Sequence, residues 1–159
     1  RRAYGTKVQY RARRAGATLQ RENMDGGAHR VTPTTTATVV YIVDDDDSVR
    51  TGLSRLMRAS GLEGRAYASP EAFLEAVHAT PAACVLLDIT MPRVTGLQVQ
   101  AKLKEKGIDL PVIAFSARDD DETRAMARDL GAQFFLRKPV DDRALLDAIG
   151  WVMGSKRRG

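Results

Sequence analysis

From Thr38 onward, five short apolar runs alternate with amphipathic segments. Val39-Val40-Tyr41-Ile42-Val43 is rich in β-branched residues and stops at acids, the pattern of a buried strand. Val49, Leu53, Leu56 and Met57 then recur at helical spacing, and Gly61 ends that helix. A weaker strand follows near Gly64–Tyr67. Ser69-Pro70-Glu71 opens the next helix with a capping serine and a proline at the first helical position, and Phe73, Leu74 and Val77 form its apolar face. Cys84-Val85-Leu86-Leu87 is a third strand that ends at Asp88. A loop over Ile89–Gly96 leads to a helix with Leu97, Val99 and Leu103. Pro111–Phe115 is a fourth strand ending at Ser116, and Asp119–Leu130 is a helix stopped by Gly131. Phe134-Phe135-Leu136 is a fifth strand running into Lys138-Pro139, and Asp141–Val152 forms the last helix.

Strand and helix alternating five times predict an α/β fold, a doubly wound parallel sheet with helices on both faces. Ligands of such sheets bind beyond the carboxyl ends of the strands. The polar residues just after each strand are therefore the informative ones. They are Asp44 and Asp45 after the first, Asp88 after the third, Ser116 after the fourth and Lys138 after the fifth. Three carboxylates brought to one edge repel one another, and a hard divalent cation relieves that repulsion. Oxygen ligands with positions left for water and phosphate suit Mg²⁺. A strand-end carboxylate beside a metal and a lysine is suited to accepting a phosphoryl group, and it needs no general base because it is already ionised at neutral pH.

Charge and composition bound the rest. The net charge of +5 hides an asymmetry: residues 1–38 hold eight Lys/Arg against Glu22 and Asp25, so the remainder is slightly acidic. Residues 1–37 show no periodicity and read as a disordered or weakly ordered basic tail, or as residues upstream of a start at Met24. A nucleic-acid arm around Tyr4, Tyr10, Arg11, Arg13 and Arg14 is the functional alternative. The folded domain is expected over 38–153, with a short basic tail over 154–159. No apolar run approaches the roughly 18 residues that span a membrane, and no secretory signal opens the chain, so a cytoplasmic protein is expected. The single cysteine, Cys84, excludes an intramolecular disulfide and reads as a core residue. Asp46, Asp47 and the run Asp119–Glu122 read as helix starts, where acids complement the dipole. His29 and His78 lack partners at ligand spacing.

Val43-Asp44-Asp45, Leu87-Asp88-Ile89-Thr90-Met91-Pro92 with Gly96, Phe115-Ser116-Ala117, Gly131-Ala132 and Lys138-Pro139 together resemble the signature of two-component response-regulator receiver domains. The wording of Ile42–Asp46 and Tyr67–Leu74 is similar to the FixJ-like subgroup of transcription regulators. The resemblance covers about residues 38–152. It implies a flavodoxin-like fold with strand order 2-1-3-4-5. It also implies that Asp88 takes a phosphoryl group from a histidine kinase, with Mg²⁺ held by Asp45, Asp88 and the Thr90 carbonyl and, through water, Asp44. Ser116 and Lys138 would contact the phosphoryl group, and Lys138-Pro139 would be cis. Ser116 would move toward the phosphate while Phe135 turns inward, by packing alone because Phe135 has no hydroxyl. Thr90 and Arg118 would tune phosphate lifetime.

On this reading the chain is a phosphoacceptor that sheds its own phosphate, not an enzyme acting on outside substrates. A haloacid-dehalogenase-type phosphatase would need a second Asp where Thr90 stands. A nucleotide- or flavin-binding module would want a glycine-rich turn where Asp44–Asp47 stand. Two outputs remain open: a stand-alone receiver acting through protein contacts or a phosphorelay, or the receiver part of a longer transcription factor. In the second case DNA is met only through a further domain, and a homodimer forms through the fourth helix and fifth strand, a surface including Arg124, Arg128, Phe135 and Arg137.

Overall fold

The computed structural model describes residues 37–156 apart from Ala79, Pro81, Arg93 and Val94. The expectations for residues 1–36, including Met24, His29 and the basic arm, and for residues 157–159 lie outside the described residues. The elements run β1 (Val39–Val43), α1 (Asp47–Ala59), β2 (Glu63–Tyr67), α2 (Pro70–Ala76), β3 (Ala83–Asp88), α3 (Gly96–Glu105), β4 (Val112–Ser116), α4 (Asp121–Asp129), β5 (Phe134–Arg137) and α5 (Asp142–Lys156). All strand pairings are parallel, in the order β2-β1-β3-β4-β5. Order reverses between β1 and β3, which sets the crevice at their carboxyl ends.

The apolar runs of β1, β3 and β4 are buried along their whole length. Because successive side chains of a strand point to opposite faces, each run serves two cores. Val39, Tyr41, Val43, Val85, Leu87, Val112 and Ala114 meet Phe73, Val99, Leu103 and Ala127 from α2, α3 and α4, with Leu130 at the C-cap of α4. Val40, Ile42, Cys84, Leu86, Ile113 and Phe115 meet Leu53, Met57, Leu145, Ala148, Ile149 and Val152 from α1 and α5. Cys84 is thus a core residue, as expected. Tyr41, Tyr67 and Phe73 form an aromatic cluster on the first face, with centroids 5.4–6.2 Å apart.

Local chemistry sets the helix ends. The Asp46 carboxylate caps α1 by accepting from the Ser48 and Val49 amides, so Asp46 precedes the helix and Asp47 opens it. Ser69 caps α2 with Pro70 at its first position. Thr95 and Gln98 form a reciprocal capping box on α3. Asp120 caps α4, which therefore begins at Asp121 and not at Asp119. In α3, Val99 and Leu103 are the buried residues, whereas Leu97 is 51% exposed. One expectation fails. The last helix continues past Val152 through Gly154 to Lys156; a helical glycine is a weak former but no barrier. Among the described residues, no helix is long and apolar enough to cross a membrane.

Candidate phosphoacceptor site

The side-chain alternation that fills the α1/α5 core also builds the site. Ile42, Leu86 and Leu136 face that core. Two residues further along each chain stand Asp44, Asp88 and Lys138, carried to the same side of the sheet edge. Asp44 is fully buried and Asp88 is 5% exposed. The Lys138 ammonium bridges them, 2.6 Å from Asp44 Oδ2 and 2.9 Å from Asp88 Oδ2. Lys138 is held to the strand beside it by its backbone amide, which donates to the Ser116 carbonyl at 2.8 Å. Lys138-Pro139 is a cis peptide, as expected.

The rest of the pocket locks Asp88 and the turn after β1. The Thr90 amide and hydroxyl both donate to Asp88 Oδ1, at 2.9 and 2.8 Å. Ser116 has the opposite strand parity, following Ala114 on the other face, yet its hydroxyl is buried and lies 3.4 Å from Thr90 Oγ1. The same hydroxyl oxygen accepts from the Arg118 amide at 3.0 Å. Asp44 Oδ1 accepts from the Asp46 amide at 2.8 Å, and the Asp44 carbonyl accepts from Arg50 Nη1 at 2.8 Å. Arg50 also pairs with Asp47 at 2.9 Å. Asp45 is exposed at the mouth.

Asp44 Oδ2 is a buried oxygen without an aligned hydrogen bond; its short approach to Lys138 is a charge contact only. Burial pushes the Asp44 carboxyl above its ordinary value of 3.8, against the pull of Lys138 and the Asp46 amide and with that of Asp88. Burial by itself would lower the Lys138 ammonium, but Asp44 and Asp88 outweigh it and hold it above its usual 10.5. One ligand oxygen each from Asp44, Asp45 and Asp88 lies within 4.8 Å of the others. An under-bonded buried oxygen in a three-carboxylate cluster fits a hard divalent cation.

Residues 40–150 match the response regulator receiver domain family. The chain belongs to that family.

Two transcriptional regulators are similar to this receiver. TdiR of Thauera aromatica is 39% identical over 128 residues, 80% of this chain and 56% of TdiR. FixJ of Azorhizobium caulinodans is 36% identical over 115 residues, 72% of this chain and 54% of FixJ. The chain spans about half the length of these curated relatives. The solved response regulator StyR superposes with a TM-score of 0.66 at 34% identity, covering 77% of this chain and 62% of that one. The FixJ-N crystal structure gives 0.64 at 26%, covering 75% and 95%. The receiver thus has the sheet order and five helices expected of it, and the likeness to the FixJ-like subgroup holds.

The structure brings together Asp44, Asp45, Asp88, Thr90, Ser116 and Lys138. Phe135 lies apart from them. It is half-buried, packed against the α2–α4 face, and the Arg124 guanidinium sits 5.4 Å from its ring centroid. Arg50 was not singled out from sequence, and Phe115 was named only as part of the Phe115-Ser116-Ala117 motif, with no role of its own. Arg50 could have been found as the residue three positions after Asp47 on the first helix. Phe115 could have been found by parity, because β4 pairs it with Asp88. A cleft of about 560 Å³ lined by Leu103, Leu110, Val112 and Leu130 lies at the other end of β4 and takes no part in this site.

Proposed function

We propose that Asp88 is the phosphoacceptor of this receiver, taking its phosphoryl group from a phosphohistidine of a histidine kinase. The observation that carries this reading is the anchoring of Asp88: Oδ1 is held by two Thr90 donors and Oδ2 by Lys138, beside the carboxylates of Asp44 and Asp45. A carboxylate oxygen of Asp88 attacks phosphorus, the P–N bond to the imidazole breaks, and an acyl phosphate forms. Lys138 and Ser116 supply an ammonium and a hydroxyl to the phosphoryl oxygens. Asp44, Asp45, Asp88 and the Thr90 carbonyl would hold Mg²⁺, which when bound neutralises charge between the carboxylates and the phosphoryl oxygens.

The chain acts as an acceptor that loses its phosphate by hydrolysis, with no outside substrate. Its switch joins Ser116 to Phe135. The Ser116 hydroxyl is already in the pocket's hydrogen-bond network, so its travel toward a phosphoryl group is short, and Phe135 turns inward from beneath Arg124. The relatives are transcriptional regulators, which supports an output in transcription, with dimerisation through α4 and β5, where Arg124, Arg128, Phe135 and Arg137 lie.

Acetyl phosphate with Mg²⁺ is expected to add one phosphoryl mass to the intact chain, and Asp88→Asn to abolish the adduct. An unchanged wild-type mass, or an adduct that survives in Asp88→Asn, contradicts the assignment.

A further inference from the structure

Lys138 has a third contact besides its two carboxylates. Its Nζ lies 4.8 Å from the ring centroid of Phe115. This ring is fully buried, wedged into the α1/α5 core, and paired across the strands with Asp88 on one side and Leu136 on the other. The Ile89 amide donates to the Phe115 carbonyl at 3.2 Å, tying this position to the end of β3. The ring therefore has a fixed place at the floor of the pocket.

The three contacts of the ammonium differ in what phosphorylation does to them. The Asp44 and Asp88 oxygens are the groups that the acceptor reaction itself engages. Among the described contacts of the Lys138 ammonium, the ring face is the one that the reaction leaves alone. A lysine is a point charge on a flexible stem, so its position at the reacting oxygen has to be held by its surroundings. An aromatic face attracts a cation through its quadrupole, more strongly where water is excluded.

We infer that Phe115 is a positioning residue for the phosphoacceptor reaction, its ring face holding the Lys138 ammonium over Asp88 when the carboxylates are engaged. The inference rests on the reading of Asp88 as phosphoacceptor. Its substance is electrostatic, so it predicts a dependence on ring charge distribution at constant shape.

The test replaces Phe115 alone by mono-, tri- and pentafluorophenylalanine in the full chain and follows phosphorylation by acetyl phosphate at saturating Mg²⁺. The rate should fall stepwise with each fluorination, by roughly three- to ten-fold from phenylalanine to the pentafluoro ring, measured at a temperature where every variant is folded. The series should be flat in a Lys138→Ala background, as expected when both changes act through one contact. In the metal-free, unphosphorylated chain, the Lys138 ε-methylene proton resonances should lie upfield and move downfield in Phe115→Leu. A flat fluorination series on a wild-type background that does accept phosphate overturns the inference and leaves the reading intact. Unshifted ε-methylene protons also overturn it. A wild-type chain that accepts no phosphate overturns both.

Discussion

The Lys138 ammonium stands 2.6 Å from the buried Asp44 Oδ2, and that oxygen has no aligned hydrogen bond. Removing the ammonium leaves two buried carboxylates facing each other without compensation. Lys138→Met, which keeps the length of the stem, is expected to destabilise the metal-free chain by about 1–2 kcal/mol, less than for a fully buried pair because the lysine is in part solvated. Adding Asp44→Asn should recover most of that loss. Urea unfolding of the single and double variants measures both; additive losses would contradict the coupling.

Asp44 also fixes a pH dependence. Its carboxyl is raised in the folded chain, chiefly by burial, so the folded state binds this proton more tightly than the unfolded state does. Its contribution is therefore most favourable below the ordinary value of 3.8, and stability declines as pH rises from there through the folded value. Asp44→Asn should be more stable than wild type near neutral pH without metal, with the difference shrinking toward acid. Mg²⁺ should stabilise the wild type by mass action and the variant much less. Thermal melts across pH, with Mg²⁺ or a chelator, provide the measurement.

Arg50 grips the Asp44 carbonyl and the Asp47 carboxylate at once, so it fixes the turn that carries Asp44 and Asp45. Arg50→Ala is expected to weaken Mg²⁺ binding roughly ten-fold, the scale of lost support behind a metal ligand. Asp47→Ala removes only an exposed ion pair and should change the affinity little. Calorimetric Mg²⁺ titration distinguishes the two.

Asp120 caps α4 through the Thr123 amide and hydroxyl, at 2.8 and 2.7 Å. These Thr123 donors, with Arg118, hold its carboxyl below the ordinary value of 3.8. A lowered carboxyl contributes stability above the unfolded value that is lost as pH falls through the folded one. Asp120→Ala should fray the first turn of α4, seen as faster amide exchange at Thr123, and should remove this acid-side dependence.

Much of this was legible in the chain. The five apolar runs mark five strands because a strand buried on both faces needs continuous apolar sequence. The polar residues that end them name the pocket, because a parallel sheet gathers strand ends at one edge. The last helix runs past Val152 to Lys156, because one glycine says little about which turns of a helix the rest of the fold covers.

The sequence by itself determined the element order, the family and the identity of Asp44, Asp45, Asp88, Ser116 and Lys138, since these follow from pattern and type along the chain. Only the tertiary structure decided that Lys138 bridges Asp44 and Asp88 and that Thr90 clamps Asp88. It likewise decided that Arg50 braces the β1–α1 turn and that Phe115 floors the pocket. These depend on interatomic distances across strands and on which oxygens are deprived of water, quantities set by packing between segments distant in sequence.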